Sequence, residues 1–155
     1  AFVGRGGFFG WTGAEAHKYA AEAVTGVVLA KYSCARLDAA VATNPQFGRR
    51  LLRHITTQLL AAQEHLLLLG RKTAGERLAT FLLELVCRRH GKEVRKGRIV
   101  LPMCRTDIAD YLGLTVETVS RTLSSLRSAR VIALPTPEII DVENTEALRN
   151  YAMMA

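Results

Sequence analysis

Little in these 155 residues is equipped for covalent chemistry. The three cysteines, Cys34, Cys87 and Cys104, lie too far apart for a Cys-x-x-Cys clip, and an odd number gives no closed disulfide framework. They fit a reducing compartment. No His-Glu-x-x-His, phosphate-binding Gly-rich loop or Gly-x-Ser-x-Gly occurs, and His17, His54, His65 and His90 are scattered without partners at ligand spacing. No metal site, cofactor or catalytic activity is therefore expected. No run of eighteen apolar residues is present to span a bilayer, and no charged-then-apolar leader marks export. A cytoplasmic address is the expectation. The first residue is alanine rather than methionine, and the opening stretch is glycine-rich and aromatic, so the chain reads as the remainder of a longer protein.

What is present is apolar substance and positive charge. A hydrophobic content of 49% is enough for one or two packed units, and the net charge of +7 calls for an anionic partner. Position narrows the choice. Between Arg88 and Arg130 ten Lys or Arg stand against four acids, a local surplus of six that accounts for nearly all of the excess.

Residues 1–43 read as short strands and turns, with β-branched residues in AAEAVTGVVLAKY around Gly26 and a short helix in CARLDAAVAT. Asn44 is a good N-cap and Pro45 suits a first helical position, so a long helix starts there. Leu52, Ile55, Leu59, Ala62, Leu66 and Leu69 follow in alternating steps of three and four, the spacing of a two-stranded coiled-coil seam, and Gly70 marks its end. This helix is expected to pair with its counterpart in a homodimer. Thr73 and Glu76 form a Thr-x-x-Glu capping box ahead of Leu78, Phe81, Leu82, Leu85 and Val86, and Gly91 is the stop.

GRIVLP then reads as a strand and Thr106 to Leu112 as a short helix, with Gly113 supplying the sharp turn into a helix capped by Thr115. In that second helix Val119, Leu123 and Leu126 line one stripe, and Glu117, Ser120, Arg121 and Ser124 another. RVIAL, PTP and EIIDV read as two strands joined by a proline turn, and a helix closes the chain from Thr145 to Met153. The order is helix, turn, helix, wing. A second helix so placed can enter the major groove, where Arg121 can donate a bidentate pair to guanine, Glu117 can accept from an exocyclic amino group, and Ser120 can adjust to either. The competing reading of Glu117 and Arg121 is an intrahelical ion pair on a solvated face.

GRKTAGERLATFLLEL followed by LPMCRTDIADYLGLTVETVSRTLSSL resembles the Crp/Fnr family of bacterial transcription regulators, most closely its Fnr and FixK branch. The resemblance covers residues 44–155 well and 1–43 loosely. It implies a mainly α chain with small β elements. Residues 1–43 would be the C-terminal part of a jelly-roll sensor barrel of the cyclic-nucleotide-binding type, 44–70 the dimerisation helix, and 71–155 a winged helix-turn-helix domain. In that branch the reading helix carries Glu-x-x-Ser-Arg, here Glu117, Ser120 and Arg121. Val116, standing where the cyclic-AMP branch usually has arginine, points to TTGA-type half-sites in an inverted repeat. The family's nucleotide pocket needs a Gly-Glu pair and a later Arg-Ser or Arg-Thr, and Gly10 with Trp11 and Tyr19 with Ala20 do not supply them.

The reading that follows is a homodimeric, sequence-specific DNA-binding regulator, an activator that also contacts RNA polymerase. Val116, Glu117, Ser120 and Arg121 would read bases of double-stranded DNA. Lys96, Arg105, Thr106, Thr115, Thr118, Ser124 and Arg127 would meet its backbone. Cys104, beside Arg105 and ahead of the first helix of the pair, is a candidate for redox regulation, against the alternative of a buried inert thiol. The rival function is a winged-helix module that binds protein and not DNA.

Overall fold

The computed structural model describes residues 2–11, 16–17, 19–91 and 93–153. The chain divides into two compact units, Ala1–Gln63 and Glu64–Ala155.

In the first unit the regular elements among the described residues are helical. Helix α1 (Cys34–Thr43) is capped by Ser33, whose hydroxyl accepts the Arg36 amide at 3.3 Å. Helix α2 (Pro45–Arg71) follows after the single residue Asn44, whose side-chain oxygen accepts the Phe47 amide at 3.0 Å. Proline at the first helical position has no amide to leave unsatisfied. The Gln58 side-chain amide donates to the Phe8 carbonyl at 2.7 Å, and the Phe8 ring meets His54 edge-on. The short strands expected in residues 1–43 are absent among the described residues. A strand needs a neighbour to accept and donate along its ladder, and the β-branched run from Val24 to Lys31 finds none, leaving Val28 99% exposed. No described residue before Leu68 is buried.

The second unit holds the core. It begins with the last turns of α2, which end one residue beyond Gly70, with the Lys72 amide still bonded to the Leu68 carbonyl at 3.1 Å. Helix α3 (Ala74–His90) opens on the expected capping box: Glu76 accepts from the Thr73 amide at 2.6 Å and the Thr73 hydroxyl at 2.8 Å. Those two bonds, the amide's first, hold the Glu76 carboxyl below the usual carboxylate range. Strand β1 (Gly97–Val100) leads into α4 (Arg105–Leu112) and α5 (Val116–Ser128), then β2 (Ile132–Thr136), β3 (Ile139–Val142) and α6 (Thr145–Ala152).

The sheet is antiparallel in the order β1-β3-β2. The strand in GRIVLP thus joins the wing as its third member, pairing Ile99 with Ile140 and Arg98 with Asp141. Pro135 lies within β2, where the register shifts between Ala133 and Thr136, and the turn falls at residues 137–138. A residue without an amide hydrogen is tolerated at such an irregularity. At Gly97 a β-carbon would lie 2.6 Å from Val86 Cγ2, so only glycine lets β1 approach α3 this closely.

Leu78, Leu82 and Val86 of α3, Ile108 and Leu112 of α4, Val119, Leu123 and Leu126 of α5, Ile140 and Val142 of β3 and Leu148 of α6 form the buried interior. Each such side chain contributes roughly 1.5–3 kcal/mol by leaving water. The result is a mainly α unit with a three-stranded sheet, in which α5 is held by one face only. No helix among the described residues is long and apolar enough to cross a membrane.

Candidate nucleic-acid interface

Gly113 makes the turn between α4 and α5. It takes a left-handed conformation, φ 61° and ψ 44°, and the Leu114 amide reaches back to the Ala109 carbonyl at 2.9 Å. This closes α4 in the manner usual for glycine just past a helix end. Thr115 then caps α5, its hydroxyl accepting the Thr118 amide at 3.2 Å.

Steps of about 100° per residue place Val119, Leu123 and Leu126 on one face of α5, and all three are buried. Glu117, Arg121, Ser124 and Arg127 are exposed, Ser120 and Thr118 half-exposed, and Val116 is 37% exposed at the first turn. Neither the Glu117 carboxylate nor the Arg121 guanidinium makes a hydrogen bond or ion pair to any described residue. The intrahelical pair between them is thus not formed, and an acceptor-only group and a five-donor guanidinium stand side by side facing solvent.

The other predicted contacts fall into three sets. Arg105 and Thr106 open α4, the first half-buried and the second exposed. Cys104, which precedes them, is exposed rather than buried, and its amide donates to Asp107 at 2.8 Å. Thr115 and Thr118 share a hydroxyl hydrogen bond of 3.0 Å, so both serve the helix start. Lys96 is paired with Glu143 at 2.9 Å and, with Arg127 and Arg130, lines an open depression of about 610 Å³. Lys92, one of the ten cations counted in the sequence, lies outside the described residues.

Of the expected seam, Leu52, Leu59 and Leu66 are 65%, 56% and 68% exposed; Ala62 is exposed, and Ile55 and Leu69 are half-buried. Leu60 and Leu67 are exposed as well, so the apolar stripe is wider than the expected seam.

Two charged groups escaped the sequence reading. Arg98 forms a two-point ion pair with Asp141 across the sheet, at 2.7 and 2.8 Å. Arg77 donates to four backbone carbonyls: Leu69 at 2.7 Å, Lys72 at 2.9 Å, Leu112 at 3.1 Å and Gly113 at 3.4 Å. Its only signal in the sequence is its place beside the capping Glu76.

Residues 76–151 match the model of the Crp-like helix-turn-helix domain. The nitrogen fixation regulation protein FixK of Azorhizobium caulinodans is 42% identical over 151 residues, 96% of this chain and 60% of that protein. The chain belongs to the Crp/Fnr family. A second FixK, from Rhizobium meliloti, is also 42% identical, over 94% of this chain and 64% of its own length. Among solved structures of Crp/Fnr proteins, FixK2 from Bradyrhizobium japonicum superposes with a TM-score of 0.70 at 43% identity, covering 78% of this chain and 59% of that one. The chain therefore spans about three-fifths of these Crp/Fnr relatives.

Proposed function

We propose that this Crp/Fnr protein is a homodimeric, sequence-specific DNA-binding transcription regulator that recognises an inverted repeat of TTGA-type half-sites. The observation that carries the reading is the trio Glu117, Ser120 and Arg121, with the acid and the guanidinium both unpaired, on a helix anchored by its opposite face. A carboxylate turned toward a polyanion is unfavourable unless it reads a base donor, and the surrounding cations offset the cost. Two such helices would enter successive major grooves about 34 Å apart. Arg105, Thr106, Ser124 and Arg127 would meet phosphates. Lys96 would exchange Glu143 for one, and Thr115 and Thr118 would hold the helix start against the backbone. The exposed leucines of α2 would form the dimer seam. By its likeness to relatives named transcriptional activator proteins, we assign it an activating role, exerted through contact with RNA polymerase. A module that binds only protein has no need of the basic surplus around Glu117 to Arg121.

The test is a gel shift of the chain on a palindromic TTGA-type duplex and on a scrambled one, across salt concentrations. Specific binding that weakens steeply with salt is expected. Arg121→Ala should cost about 1–3 kcal/mol per half-site and relax preference at a single base position. Equal affinity for both duplexes, or an Arg121→Ala variant with unchanged selectivity, would refute the reading.

A further inference from the structure

Arg77 sits on the second turn of α3, yet it bonds to none of that helix's carbonyls. Leu69 and Lys72 lie at the C-terminal end of α2; Leu112 and Gly113 lie at the C-terminal end of α4, at the turn into α5. Helix C-termini leave carbonyls without intrahelical partners and carry partial negative charge, so a cation is favoured there. Here one planar guanidinium serves two such ends at once. Its N–H groups diverge at fixed angles, so the two helix ends that it binds are held at fixed distance and orientation. A second link runs beside it. His65 of α2 stacks on Tyr111 of α4 with ring centroids 4.3 Å apart, and Tyr111 also meets Phe81 of α3. His65 neighbours Leu66, and Leu69 is itself the last member of the expected seam.

We propose that Arg77 is a positioning residue: by binding the ends of α2 and α4 together, it fixes the reading helix against the last turns of α2, which carry Leu66 and Leu69, and so selects the spacing of the two half-sites. This rests on the proposed DNA-binding function and goes beyond it, since Arg77 is in no expected contact with base or phosphate. One added or removed base pair in the spacer moves a half-site by about 3.4 Å and turns it by roughly 34°. A rigid pair of reading helices cannot follow such a change, and the gain from engaging both half-sites is lost.

The experiment compares the chain with its Arg77→Gln and Arg77→Lys variants on inverted repeats whose spacers differ by one base pair either way, and on a single half-site. The unaltered chain should lose at least about tenfold in affinity on a mis-spaced repeat. In Arg77→Gln that loss should shrink to below about threefold, while discrimination between the correct and a mutated single half-site stays as before. Arg77→Lys, whose one ammonium cannot span both helix ends, should fall between them. If Arg77→Gln does not fold, Arg77→Lys is judged by the same two ratios. A spacing penalty unchanged in the folded variant overturns the proposal. So does a variant whose half-site discrimination falls together with its spacing preference, because the residue is then merely structural. Failure of the unaltered chain to prefer any repeat over a scrambled duplex would instead refute the DNA-binding reading.

Discussion

Replacing Leu59 with glutamate should dissociate the proposed dimer without disturbing the fold. Leu59 is 56% exposed in the single chain, so its loss removes little that holds the chain itself together. Burying a whole leucine contributes roughly 1.5–3 kcal/mol, and the exposed half of that is about 0.8–1.7 kcal/mol per protomer. Twofold symmetry applies the loss twice, giving about 1.7–3.4 kcal/mol. Two carboxylates brought together across the axis add about 1 kcal/mol even at the dielectric of water. The sum, roughly 3–4 kcal/mol, corresponds to a dimer on the order of 10²- to 10³-fold weaker. Sedimentation velocity over a concentration series would measure it, with circular dichroism showing that the helices are retained. A dimer constant within about threefold of the unaltered chain's would refute the assignment of this stripe as the seam.

Arg130 occupies a left-handed conformation, φ 56°, just past the end of α5, a site where glycine is ordinarily preferred. Arg130→Gly should relieve about 1–2 kcal/mol of backbone strain, partly offset by the greater freedom of glycine in the unfolded chain. A net gain of about 0.5–1 kcal/mol should appear as a higher urea midpoint; a lower midpoint would mean that the guanidinium contributes more than the strain costs. Cys104 is exposed at the start of α4, and we predict that peroxide weakens DNA binding by adding oxygen and negative charge there. If a Cys104→Ser variant loses affinity under peroxide to the same degree, that prediction is wrong.

What the sequence disclosed depended on how locally each structure is determined. The Thr73–Glu76 box, the Gly113 turn and the stripe of Val119, Leu123 and Leu126 are set by residues within a few positions of one another, and they stand where the spacing put them. Among the described residues before Cys34 the expected strands do not form, for a non-local reason: β-branched composition supplies willingness, and a ladder supplies existence. β1 shows the converse, a four-residue run made a strand by β3, some forty residues later. Within the candidate interface the exposed set on α5 was legible from helical period alone. The pairing of Lys96 with Glu143, and the choice between a bonded and an unbonded Glu117 and Arg121, depend on side-chain rotamers and distant neighbours. Arg77 was hidden for the same reason, because its four acceptors are backbone atoms of two other helices and their flanks, and backbone atoms carry no sequence signature.

The irregularity in β2 has a consequence for how copies of this chain meet. β2 is an outer strand, and the shifted register around its proline disturbs the row of amides that an incoming strand would need. The opposite border, β1, is four residues long and carries the charged Arg98. Neither border offers a long, flat template for growth by sheet addition, so stray chain-to-chain adhesion is discouraged there and self-association is left to helical surfaces.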